Sequence, residues 1–114
     1  MSCYNSCCKH FHKITSINLV DGNAVISATN TSTLPSDGEK FCLAVCQNAN
    51  TISLTAIPVL ITINGANCRV YNKFSKVMTS TELATYTRKM IKGYFVLNGS
   101  DNYVIFNEVP KCGV

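Results

Sequence analysis

The run Ile14-Thr15-Ser16-Ile17-Asn18-Leu19-Val20-Asp21-Gly22-Asn23-Ala24-Val25-Ile26-Ser27-Ala28-Thr29 decides how the rest of the chain is read. In its first half Ile17 and Leu19 alternate with polar neighbours, the pattern of a half-buried strand. Its second half, from Ala24, is again rich in β-prone residues. Asp21-Gly22 between two such runs is a hairpin signal, because Gly22 accepts the positive φ that a two-residue turn requires. The first unit of the fold is therefore a β-hairpin.

Downstream, the same punctuation recurs. Asn30 to Gly38 is a polar loop with Pro35 and the turn pair Asp37-Gly38. Lys40-Phe41-Cys42-Leu43-Ala44-Val45-Cys46-Gln47 is almost continuously apolar, which suits a central strand buried on both faces. Cys42 and Cys46, four apart, fall on one side of that strand and read as small core hydrophobes with inert thiols. Thr51 to Thr55 alternates as a strand. Ile57 to Ile63 forms the next, with Pro58 marking a strand start or an edge because it cannot donate to a ladder. Asn64-Gly65 turns the chain into Cys68-Arg69-Val70-Tyr71-Asn72, a strand that could run on towards Val77-Met78.

Residues 79–92 carry two signals. Thr79-Ser80-Thr81-Glu82 fits a capping box, with Leu83, Tyr86 and Met90 on one helical face. The β-prone residues that follow, and the β character of every other segment, favour a strand ended by Gly93. Tyr94 to Leu97 and Tyr103 to Phe106 make a last hairpin around Asn98-Gly99-Ser100-Asp101. About eight short, evenly spaced strands predict an all-β domain over residues 13–114, an antiparallel β-sandwich or barrel.

Residues 1–12 lack this periodicity and read as a Cys/His-rich N-terminal arm. Cys3, Cys7, Cys8, His10 and His12 are candidate ligands for a tetrahedral zinc ion. Their crowding into one short segment, with Cys7 and Cys8 adjacent, is poor spacing for such a site. Free thiols on an arm that orders against a partner are preferred, with Tyr4 and Phe11 as candidate contact residues. No catalytic residue is predicted: a nucleophile needs a supported base, both histidines lie in the arm, and the carboxylates are scattered. The chain reads as a non-enzyme.

Composition agrees with a structural role. The chain has 114 residues, enough for one domain with its own core, and is 46% hydrophobic. Charged residues make up only 14% of it, against roughly 25% in an average soluble domain. A neutral Ser/Thr/Asn surface suits packing against neighbours better than steering a charged substrate. Lys73, Lys76, Arg88, Lys89 and Lys92 supply half of the ten basic residues behind the formal charge of +4. Without interleaved aromatic residues they predict a solvated basic face, and no nucleic acid is expected as partner. No secretory leader and no membrane-length apolar run are visible, so synthesis in a cytosol and reduced cysteines are expected.

The stretch Gly38-Glu39-Lys40-Phe41-Cys42, followed by Ile52 and by Ala56-Ile57-Pro58-Val59-Leu60-Ile61-Thr62-Ile63-Asn64-Gly65, carries a family resemblance. With the Met-Ser-Cys start, the Cys7-Cys8 pair and Ala84-Thr85-Tyr86-Thr87-Arg88 before Gly93, it resembles small Cys-rich β proteins of crAss-like phages of gut Bacteroidales. The likeness covers about two-thirds of the chain, and its motifs are structural. Where the family pattern has a second Cys pair, only Cys68 stands here. The resemblance implies a virion protein, most simply an auxiliary (decoration) protein of the bacteriophage capsid, made in the host cytoplasm. Its partners would be the major capsid protein or other virion proteins, with homo-oligomers allowed and no cofactor required. A head-fibre or tail component of the same virion is the alternative. A small cytosolic zinc-binding or redox module is the alternative from another class.

Overall fold

The structure, a computed structural model, describes residues 12–45 and 56–108. Seven strands and one short helix follow in chain order: β1 His12–Val20, β2 Asn23–Ala28, β3 Lys40–Val45, β4 Val59–Ile63, β5 Ala66–Tyr71, α1 Ser80–Ala84, β6 Lys89–Val96 and β7 Tyr103–Glu108. The strands close into a barrel in the order β1-β2-β4-β5-β7-β6-β3, with β3 returning to β1. The all-β expectation holds, and the closed sheet selects barrel over sandwich.

Two local turns start the architecture. Val20 pairs with Asn23 and Ile63 with Ala66, each across a two-residue loop. Asp21 and Gly22 have φ of 49° and 77°, and Asn64 and Gly65 have 53° and 78°. Positive φ at both positions is the hairpin turn whose twist matches that of its strands. Pro58 stands just before β4 and lends only its carbonyl, to the Ala24 N–H at 2.8 Å, as a residue without an N–H must.

The barrel is not antiparallel throughout. β1 runs parallel to β3, β2 to β4, and β5 to β7. A closed ring with an odd number of strands cannot alternate direction at every step, so purely antiparallel pairing is impossible here. Seven of the roughly eight expected strands are formed by the described residues. The Thr51–Thr55 strand and Cys46 lie outside the described residues.

The interior is a packed core. Phe41, Phe95, Ile14, Ile26, Leu43, Ile61, Ile63, Met78, Leu83 and Ile91 are all fully buried. Each such side chain contributes roughly 1.5–3 kcal/mol by leaving water. Strand directions put two sets of connections at opposite ends. One end, the helix end, gathers the β1–β2 turn, the start of β4, the 72–79 loop, α1 and the start of β6. The other gathers the 29–39 loop, the Asn64-Gly65 turn and the 97–102 loop.

The strand expected over residues 79–92 is a helix first and a strand only from Lys89. Thr79 caps α1: its Oγ1 accepts the Glu82 N–H at 3.3 Å. Ser80 is tied to Ile57 through its own N–H at 2.8 Å and through Oγ, which accepts the Ile57 N–H at 3.2 Å. Capping and this clamp outweigh the β propensity of the following residues, and α1 drops Leu83 into the end of the barrel. Beyond Asn72 the chain also doubles back, with Val77 bridging Tyr71, where a continuing strand had been expected.

Gly93 does not end the segment; it lies inside β6 at a register shift against β7. A Cβ there would run into the Ile105 carbonyl and the Phe106 Cα. His12, assigned to the arm on sequence, is the first residue of β1. It pairs with Leu43, stacks on Phe41 at 4.1 Å, and places Nδ1 2.8 Å from the Thr29 carbonyl oxygen. Leu19, expected to be half-buried, is exposed at the tip of the hairpin, which projects past the core.

Candidate functional site

Neither of the two surface features that stand out is the one the sequence nominated. Cys3, Tyr4, Cys7, Cys8, His10 and Phe11 lie outside the described residues. His12 is held by Phe41 and Thr29 within the barrel wall. Among the described residues no three His, Cys, Asp or Glu side chains gather as a metal site.

Of the two described cysteines, Cys42 corrects the free-thiol expectation and Cys68 agrees with it. Cys42 is buried as predicted, yet Phe41, Leu43 and Val45 fill the interior and Cys42 points to the outer face of β3. It is disulfide-bonded and not a free thiol. Cys68 is a buried free thiol that donates to the Ala66 carbonyl at 3.7 Å. Burial, and secondarily the Asp101 carboxylate, push its pKa up, so it carries little reactive thiolate.

The first surface feature is the helix end. The strand ends and the 72–79 loop bring Leu19, Val20, Phe74 and Val77 to this end, all exposed; Phe74 is 68% accessible. Lys73, Lys76, Arg88 and Lys89 lie at the same end, and the Lys73 ammonium sits 5.3 Å from the Phe74 ring centroid. Lys92, grouped with these on sequence, lies farther down β6 opposite Cys42. The loop has a frame. Asn72 Oδ1 accepts the N–H groups of Phe74 and Lys76 at 2.9 and 3.1 Å. Its amide donates to the Glu82 carboxylate at 3.0 and 3.2 Å. One buried side chain thus fixes the Phe74 loop and anchors it to α1.

The second feature is a groove of about 250 Å³ on the outer wall over β5 and β7, lined by Tyr71, Ser75, Asn98, Asp101, Tyr103 and Ile105. The parallel register sets Arg69 beside Tyr103 and Tyr71 beside Ile105. The two tyrosine rings meet edge to face, 5.1 Å between centroids at 84°. Arg69 Nε lies 3.9 Å from the Asp101 carboxylate, an exposed and loose pair. The Tyr71 hydroxyl and then Asp101 raise the guanidinium pKa, so it stays a cation at every physiological pH. Sequence reading missed this groove because its residues come from two distant stretches, 71–75 and 98–105. The available signal was the outward alternation Arg69-x-Tyr71 and Tyr103-x-Ile105.

No helix among the described residues is long and apolar enough to cross a membrane. Comparison with protein-family profiles, curated proteins and solved structures finds no match to this chain.

Proposed function

We propose that this chain is a non-enzymatic virion structural protein, an auxiliary (decoration) protein that docks through its helix end onto a capsid lattice. The observation that carries the reading is the gathering of Leu19, Val20, Phe74 and Val77 with Lys73, Lys76, Arg88 and Lys89 at one end of a rigid barrel. Exposed apolar side chains and cations at one end suit a partner surface that is partly apolar and partly acidic. The resemblance of the Gly38–Cys42 and Ala56–Gly65 stretches to phage β proteins supports the same reading. So does the Cys42 disulfide, since such bonds persist at virion surfaces and seldom in cytosol. Residues 1–11, with Tyr4 and Phe11, are proposed to extend the contact.

A modest contact per copy becomes strong retention when the lattice repeats it. Purified shells, mixed with this protein and sedimented, should retain wild type, while isolated capsid subunits bind it weakly. Phe74→Ser with Lys73→Glu should release it without changing its circular dichroism. Virions of the encoding phage that contain no copies of the chain would overturn the proposal. A few copies per particle would assign it to a head fibre or tail.

A further inference from the structure

The outer-wall groove runs from the 72–79 loop, which also carries Phe74, down β5 and β7 to the 97–102 loop, and it has its own chemistry. Its floor is apolar and half-buried: the rings of Tyr71 and Tyr103 and the side chain of Ile105. Tyr94, opposite Ile105 on β6 and exposed, lengthens this aromatic wall. The rim is polar and exposed: Ser75 from one loop, Asn98 and Asp101 from another.

Both rim loops are braced by bonds that leave the rim groups available. The Ser75 N–H donates to the Asn72 carbonyl and the Asp101 N–H to the Asn98 carbonyl, both at 2.9 Å. The Asn98 N–H donates to Asn102 Oδ1 at 2.9 Å, and the Leu97 N–H to Asp37 Oδ1 at the same distance. Among the described residues the Ser75 hydroxyl, the Asn98 amide and the Tyr103 phenol make no hydrogen bond of their own. A preorganised site loses less on binding than one that must be ordered first.

The charges select the ligand class. Arg69 and Asp101 sit side by side with opposite sign, and Asp101 is the one charged residue among those that line the groove. An anion meets the Asp101 carboxylate, and a cation meets the Arg69 guanidinium. What fits is a small neutral molecule with apolar C–H faces and several hydroxyls at its edge. We infer that this groove is a binding subsite for a neutral saccharide, its C–H face against Tyr71 and Tyr103 and its hydroxyls on Asp101, Asn98 and Ser75. The inference stands independently of the capsid reading.

Saturation-transfer NMR on the full chain tests it. The probes are the methyl glycosides of glucose, galactose, mannose and N-acetylglucosamine, each at about 10 mM, with glucuronate and inorganic phosphate as charged comparisons; a binding site this small is expected in the millimolar range. At least one neutral glycoside should show transfer focused on ring C–H protons. Tyr103→Ala and, as a loop variant that leaves the wall intact, Asp101→Asn should each weaken it about tenfold, the loss of ~1.4 kcal/mol. The inference is overturned if no neutral glycoside binds. It is equally overturned if binding survives both substitutions, or if phosphate and glucuronate compete equally well.

Discussion

Glycine shows how one residue type fails for two different reasons. At Gly65 a side chain would meet open space, but φ is +78°, so Gly65→Ala costs about 1 kcal/mol through backbone strain alone. At Gly93 the cost is steric, since an added methyl strikes the β7 backbone. Gly93→Ala should destabilise by about 3 kcal/mol or more, near the upper range for overpacking, and urea titration of the two variants separates them. Asn72→Ala removes an acceptor for two N–H groups and a donor to Glu82; a loss of about 2 kcal/mol is expected, with the Phe74 loop loosened first. Cys68 supplies a pH signature. Its thiol is pushed up in the folded state, so on titration the folded chain keeps a proton that the unfolded chain has released. Its contribution is therefore constant below the unfolded thiol pKa and falls as pH rises from there to the higher folded value. Native alkylation of Cys68 should stay slow until the protein unfolds, and rapid labelling at neutral pH would contradict its burial.

Elements were legible in the sequence where the information was local. Asp21-Gly22 and Asn64-Gly65 each carry their turn in two residues, and both hairpins form where expected. The apolar run that begins at Phe41 is indeed buried on both faces through Val45. The 79–92 segment was misread because its helix is held by a partner distant in sequence, Ile57, which no propensity reports. Gly93 was misread because the strand that crowds it is β7, folded back from beyond the next turn. The same non-locality hid the tyrosine groove, while the Cys/His cluster that drew notice, His12 apart, falls among residues the structure does not describe. Helix α1 acts as a stopper. Leu83→Ala should cost about 2–5 kcal/mol, as large-to-small core changes do, whereas Thr79→Ala should cost about 1 kcal/mol by removing only the cap. Thermal melts of the two variants would rank them, and a Leu83→Ala melt no lower than that of Thr79→Ala would contradict the plug.

For the molecule as a whole, the Cys42 linkage should matter to stability. Reduction is expected to lower unfolding free energy by about 2–4 kcal/mol, and alkylation before reduction should leave Cys42 unmodified. The ring order has a further consequence, for the time at which the barrel can exist. β7 is the last of the seven strands to be synthesised, yet it lies between β5 and β6. Until it emerges from the ribosome the nascent chain holds two open sheet edges, and His12–Leu43, Ala24–Val59 and Arg69–Tyr103 are pairings between distant residues. Such topologies fold slowly, because loop closure precedes the contacts that reward it. The barrel thus closes only after β7 is available: chains stalled before residue 103 should be degraded by protease throughout, and resistance should appear in a single step once β7 has cleared the exit tunnel.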